Sequence, residues 1–177
     1  MAKIIFGMNV SLDGFVDHDK FAPGPELFSH WIAHVRELAG SLYGRRMYEI
    51  MAYWDEDHPE WGPAEHEFAQ AWRAMPKWVA SRTLNAVGPN AELIAGDVVA
   101  AMRDLKTRQE GEISVSGPNL AQTFIAAGLI DEYRLYLHPL TLGHGARFFA
   151  AAPPPLRLLG HEHIGESVVR LRYAPAA

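Results

Sequence analysis

Residues 112–145 read EISVSGPNLAQTFIAAGLIDEYRLYLHPLTLGHG, and this stretch decides the fold. Residues 113–115 form a short β-prone run, which Ser116-Gly117-Pro118 breaks. Asn119 stands where a cap would, and residues 120–127 carry Leu120, Phe124 and Ala127 on one helical face. Gly128 suits the left-handed position that ends a helix. Residues 133–137 are a second strand, closed by Pro139 and a glycine-rich loop. A strand, a glycine turn and a helix make a place to hold a phosphate, because free N–H groups and the helix dipole point at the turn. The same pattern also fits an ordinary βαβ unit with a tight turn, so the flanking chain has to decide.

On the N-terminal side, residues 3–10 (KIIFGMNV) are an apolar run of strand length, suited to a strand covered on both faces. Residues 26–38 predict an amphipathic helix with Leu27, Phe28, Trp31, Ile32, Val35 and Leu38 inward. A short strand at 41–43 ends at Gly44, and a helix is expected over 45–54. Another helix is expected over 64–75, stopped by Pro76, with strands at 77–80 and 91–94. Asp97 caps a helix running to Lys106. On the C-terminal side, three prolines at 153–155 precede two β-like runs, 156–162 and 167–173, joined through Gly165 as a hairpin. Strands alternating with helices and a closing hairpin predict a single α/β domain with a mainly parallel sheet and an antiparallel edge.

The totals narrow the function classes. A chain of 177 residues, 49% hydrophobic and 21% charged, can bury one real core. A net charge of -5 without a basic run argues against a nucleic-acid or anionic-membrane surface. With no cysteine there is neither a disulfide frame nor a thiolate zinc site. No apolar run reaches the ~20 residues of a membrane span, and the first residues lack the pattern of a signal peptide, so a cytoplasmic protein is expected.

Ligands of such sheets bind outside the carboxyl ends of the strands. Three breaks fall there: Gly44-Arg45-Arg46, Ser81-Arg82-Thr83 and Ser116-Gly117-Pro118-Asn119. Two bring guanidinium groups and one brings bare backbone, which together suit a ligand with several phosphates. Each arginine alone reads as a solvated surface residue; the three breaks on one sheet edge favour the ligand. Neither a GxGxxG nor a GxxxxGK[ST] loop is present, so a Rossmann domain or a P-loop enzyme is not expected.

The pieces MNVSLDGFVD (8–17), GRRMYE (44–49), SRT (81–83) and VSGPNLAQTFIAAGLIDEYRLYLHPLTLGHGARFF (115–149) resemble the dihydrofolate-reductase-like fold. Within it they resemble the reductase domain of the bifunctional riboflavin-biosynthesis deaminase–reductase, RibD, and its stand-alone relatives. The resemblance spans nearly the whole chain in order. It implies a three-layer α/β/α domain and an NADPH-dependent reductase. By that likeness Gly44, Arg45, Arg46, Met47, Ser81, Arg82 and Thr83 hold the adenosine end with its 2′-phosphate. Ser116 and Gly117, followed by Pro118, Asn119 and Leu120, take the pyrophosphate, at a peptide that is often cis in the family. Asn9, Val10 and Ser11 line the nicotinamide. Met47 stands where a hydroxyl residue is frequent, and Ser116 where a glycine is frequent.

Asp13, in the turn after the first strand, and His138, at the end of a later one, are the catalytic candidates; bonding the turn backbone and an interior histidine are their structural alternatives. Trp31, His138 and Gly143 are expected at the substrate, with His18, Lys20 and Arg147 as candidates for a substrate phosphate. His58, His66, His161 and His163 are not expected to bind a metal, and Trp54, Trp61, Trp72 and Trp78 are expected to pack. The expected substrate is a pteridine, a ribosylamino-pyrimidine or another small C=N or C=O compound. The alternatives are a non-catalytic NADPH-binding or regulatory module and a structural homodimer covered along the apolar closing hairpin.

Overall fold

The computed structural model describes residues 1–176. In chain order the elements are β1 (Lys3–Ser11), α1 (Pro25–Glu37), β2 (Leu38–Gly44), α2 (Arg45–Met51), α3 (Pro63–Ala74), β3 (Lys77–Ala80) and β4 (Ala91–Ile94). Then come α4 (Val98–Arg108), β5 (Glu112–Ser116), α5 (Pro118–Ala126), β6 (Glu132–His138), β7 (Leu156–Ile164) and β8 (Val168–Pro175). The strands form one sheet in the order β4-β3-β2-β5-β1-β6-β8-β7. β1 to β6 are mutually parallel, and the terminal hairpin adds β8 and β7 antiparallel. No described helix is long and apolar enough to cross a membrane.

Strand alternation divides the core in two. Ile4, Phe6, Leu42, Ile113, Val115 and Tyr133 face one layer, where they pack with Met102, Leu105 and Phe124 of α4 and α5. Tyr43 and Val79 face the other, against Ile32 and Val35 of α1 and Phe68 and Trp72 of α3. This gives helices on both sides of the sheet, the α/β/α layering expected of the sequence.

Two local expectations are corrected. The helix predicted over 45–54 stops at Met51 and tightens into a 3-10 turn, Ala52–Asp55. The cause is tertiary: Arg73 Nε donates to the Trp54 carbonyl at 2.7 Å, and the Trp54 ring lies 4.7 Å from Phe68. Asn119 is not the cap of α5. It lies inside the helix, and Gly117, with φ of 121°, occupies the cap position without a side-chain bond.

Charge is buried on the second face near the strand N-termini. Glu132 is 0% exposed and accepts hydrogen bonds from Lys3, Arg134 and Arg172. Burial alone would raise its pKa, but these three cations hold it well below the usual carboxylate range.

Candidate functional site

Because β2, β3 and β5 are parallel neighbours, their carboxyl ends share one rim. Gly44 pairs with Ala80, and Tyr43 pairs with Ser116. The turns that follow these strands therefore stand side by side. Arg45 bridges two of them, donating to Thr83 Oγ1 at 2.7 Å while its Nε binds Glu49 at 2.8 Å. Arg46 and Arg82 are exposed, with no ion pair among the described residues. Ser81 Oγ is occupied: it accepts the N–H groups of Thr83 and Leu84 at 3.2 and 3.1 Å.

The third turn is a backbone cradle. The positive φ of Gly117 is one that L side chains rarely adopt. A Cβ added there would stand 3.8 Å from the Met47 Cβ and 4.0 Å from the Gly44 nitrogen, so it would fill the space between the first and third turns. The first intrahelical bond of α5 is donated by Ala121 to Gly117, at 3.1 Å. The N–H groups of Asn119 and Leu120 thus precede the ladder, uncapped and at the positive end of the helix dipole. The Ser116–Gly117 peptide is trans, as are all others described.

Next to this rim a pocket of about 280 Å³ runs between the sheet and α1, α2 and α3. Its sheet side is Gly7, Asn9, Ser41, Tyr43, Ser114 and Ser116, and its helix side includes Phe28, Trp31, His34, Met51, Trp54 and Phe68. Met47 and Gly117 line both the pocket and the cradle, so the two spaces join.

The three turns stand on one rim and Trp31 lines the adjoining pocket, and the other candidate side chains divide. Of Asn9, Val10 and Ser11, only Asn9 lines the pocket. Val10 is buried in the opposite core layer. Ser11 Oγ donates to Asp13 at 2.5 Å and accepts from the Phe15 N–H at 2.9 Å.

Asp13 and Gly143 belong to a loop clasp rather than to the pocket. The Asp13 carboxylate also accepts the N–H groups of Leu142 at 3.1 Å and Gly143 at 2.7 Å. The bond from Ser11, ahead of those from Gly143 and Leu142, lowers its pKa to about 2. Such a group is ionised at neutral pH and has no proton to give. Asp13, a catalytic candidate of the sequence, and Gly143, a substrate candidate, thus hold this loop together, and neither lines the pocket.

His138 is also turned away. It is 6% exposed, packs 4.8 Å from Phe21, and its Nε2 meets Asn9 Oδ1 at 3.0 Å. Burial lowers its pKa, which keeps the ring neutral, and it does not line the pocket. The Asn9 oxygen accepts this bond from His138, which leaves the Asn9 amide hydrogens toward the pocket that Asn9 lines.

His18 lines the pocket, while Lys20 is exposed beside Asp19 and Arg147 stacks on Phe15 at 4.8 Å. His58 stacks on Tyr53 at 4.2 Å, and His66 meets the edge of Trp61. No described group of three or more His, Asp or Glu is placed to hold a metal.

Comparison with known proteins agrees with this architecture. The RibD C-terminal domain profile matches residues 2–170. The chain belongs to the RibD C-terminal domain family. It is 30% identical over 156 residues to YyaP of Bacillus subtilis (strain 168), a protein described as uncharacterized, covering 83% of this chain and 80% of that one. Its fold matches, with a TM-score of 0.76, 23% identity and full coverage of both chains, a proposed riboflavin biosynthesis protein from Shewanella sp. PV-4. Acinetobacter baumannii RibD superposes with a TM-score of 0.70 and 17% identity over 100% of this chain and 59% of that one. The diaminohydroxyphosphoribosylaminopyrimidine deaminase/5-amino-6-(5-phosphoribosylamino)uracil reductase of Thermotoga maritima gives 0.67 and 14% over 99% and 57%. This RibD C-terminal domain thus spans just over half the length of the Acinetobacter and Thermotoga chains.

Within this RibD C-terminal domain the sequence reading missed Ser41, Tyr43, Ser114, Phe28, His34, Met51 and Phe68 as pocket residues; Trp54 packs on Phe68 as expected, and its ring lines the pocket as well. A signal was present. Ser41 and Tyr43 of β2, and Ser114 and Ser116 of β5, put hydroxyls at alternate positions of central strands, where both faces are ordinarily apolar. Such a stripe marks the face that leaves room for a ligand.

Proposed function

We propose that this chain is an NADPH-dependent reductase delivering hydride to the C=N or C=O of a small heterocycle, in riboflavin- or folate-like metabolism. The observation that carries this reading is the convergence of the Gly44, Ser81 and Ser116 turns at the open end of one pocket. The residues fit the cofactor. Gly44, Arg45, Arg46, Met47, Ser81, Arg82 and Thr83 offer guanidinium forks and hydroxyls to the adenosine end and its 2′-phosphate. The Asn119 and Leu120 N–H groups, approached over Ser116, Gly117 and Pro118, would take the pyrophosphate. When bound, NADPH supplies the hydride.

The chain's own part is position and exclusion of water. Asn9 offers amide hydrogens at the sheet surface. Trp31 and Trp54 shut the helix side. No carboxylate among the described residues lines the pocket, and its titratable groups are His18, His34 and Tyr43. Burial lowers the pKa of the two histidines, His34 to about 4 with help from Arg134 and His30. As neutral rings they donate a hydrogen bond to a carbonyl or imine, and the proton that completes reduction comes from water.

The same lack of an acid favours a second reading, a non-catalytic NADPH-binding module. Calorimetric titration with NADPH, followed by absorbance at the reduced nicotinamide band across pterins, folates and riboflavin precursors, separates the two. Binding with turnover supports the reductase, and binding without any turnover supports the module. No binding at millimolar NADPH refutes both. We further propose a homodimer along the edge strand β7, where Leu158 is 54% exposed. A monomer by light scattering at high concentration refutes it.

A further inference from the structure

We infer that a polar cleft between α1 and the far half of the sheet is a second binding site, for a short dicarboxylate. It goes beyond the reductase reading and does not depend on it. The cleft, of about 540 Å³, opens toward the amino ends of β5 and β6, away from the three turns. Its roof is one stripe of α1, where His30, His34 and Glu37 stand at helical spacing beside the buried Leu27, Ile32 and Val35. Its floor is three guanidinium groups, Arg134 of β6 and Arg170 and Arg172 of β8. Arg134 pairs with Arg172 across the ladder, and Arg170 lies two residues along on the same face.

Like charges set opposite one another on a sheet repel, so three on one face call for counter-charge. Glu132 and Glu112 supply it to Arg134, and Glu132 to Arg172. Arg170 is served less well. Its ion pair is with Glu162 of β7, whose side chain is 46% exposed against 16% for Arg170. Its Nε is buried and has no hydrogen-bond partner among the described residues. A buried donor left unpaired is costly, and a bound acceptor removes that cost. The field over the floor stays positive in spite of the glutamates: after burial, Arg134, His30 and Arg170 all push His34 below its ordinary pKa, while Glu112 opposes them. Two positions along a strand are about 7 Å apart. A four-carbon diacid can therefore lay one carboxylate on Arg170 and the other at the Arg134–Arg172 pair, where a monocarboxylate meets one of them. The ligand would lie against the back of the first pocket. His34 lines both spaces, and Trp31 of that pocket is 4.4 Å from the Tyr136 ring, whose hydroxyl meets His30 Nε2 at 2.9 Å.

The test titrates the full chain with succinate, acetate and inorganic phosphate at constant ionic strength, read by calorimetry and tryptophan fluorescence. Succinate should bind at least about tenfold more tightly than acetate. Arg170→Met should weaken succinate at least about tenfold, and Glu162→Gln, which frees Arg170 from its surface partner, should tighten it several-fold. Urea melts show whether both variants fold, and if Arg170→Met does not, Glu162→Gln decides alone. No succinate binding, acetate binding as tightly, or a succinate affinity that neither substitution moves overturns the inference. So does a phosphate affinity that exceeds that of succinate and falls in Arg170→Met. NADPH titrated in parallel keeps the two readings apart. Succinate binding without NADPH binding refutes the reductase and leaves the cleft standing, and NADPH binding without succinate binding does the reverse.

Discussion

Replacing Lys77 with methionine should remove a rise in stability that the wild-type chain shows between pH 7 and 9.5. Lys77 opens β3 and is 2% exposed. Its Nζ donates to the carbonyls of Trp72 and Met75, both at 2.8 Å, and lies 4.4 Å from the Trp72 ring centroid. The ammonium therefore closes the C-terminal end of α3, where unpaired carbonyls and the negative end of the dipole collect. Burial lowers its pKa from 10.5 to about 8, with Asp55 pulling part of the way back. The sign follows from proton counts. The unfolded lysine keeps its proton to about pH 10.5, and the folded one releases it near 8. Between those values the unfolded chain binds more protons, so stability rises with pH. The full interval corresponds to roughly 3 kcal/mol, of which about 2 kcal/mol falls between pH 7 and 9.5. Buried Tyr43, Tyr133 and Tyr136 have raised pKa values and act in the opposite sense above about pH 10, which sets the upper end of the scan. Urea unfolding of both proteins at the two pH values, read by tryptophan fluorescence, gives the double difference. Parallel pH profiles for wild type and Lys77→Met would refute the reasoning.

Gly117→Ala should lower NADPH affinity by at least about tenfold and cost about 1–3 kcal/mol of stability, since alanine must adopt a strained φ with its methyl in the cradle; calorimetry and urea melts read the two effects. Arg46→Ala combined with Arg82→Ala should weaken NADPH far more than NADH, and an equal loss for both nucleotides would show that these side chains do not meet a 2′-phosphate. Glu132→Gln should destabilise by about 3–5 kcal/mol, leaving Lys3 and Arg172 without their carboxylate and Arg134 with Glu112 alone. Because the folded pKa of Glu132 is depressed, its stabilisation is present above the unfolded value of 4.5 and fades as pH falls. The variant should therefore flatten the acid limb of the stability profile, and an unchanged limb would count against the ionic cluster. His138→Phe should loosen Asn9 and lower kcat without introducing a new pH dependence; the loss of a kinetic pKa near neutrality would instead restore His138 as the proton donor.

The order of strands and helices was legible because each element has a local cause. Alternation, Pro76, the Asp97 cap and the left-handed Gly128 are all properties of neighbours in sequence. The three breaks could be placed on one rim because parallel strands share the direction of their carboxyl ends. What sequence could not give was side-chain choice at that rim. Asp13 and His138 carry the right chemistry, but their partners, Leu142, Gly143 and Asn9, lie about 129 positions away along the chain. Trp54 packs as its composition suggests, but its second place, on the pocket wall, depends on the turn after α2.

The cradle at the rim is made chiefly of main chain: a left-handed glycine and the open end of α5. The wall of the pocket is made of side chains on α1, α2 and α3. The two share Met47 and Gly117, whereas Phe28, Trp31 and Met51 stand on the wall. A lineage could exchange those three one at a time and reshape the pocket beside an unaltered rim, with the constraint there borne by a few backbone angles.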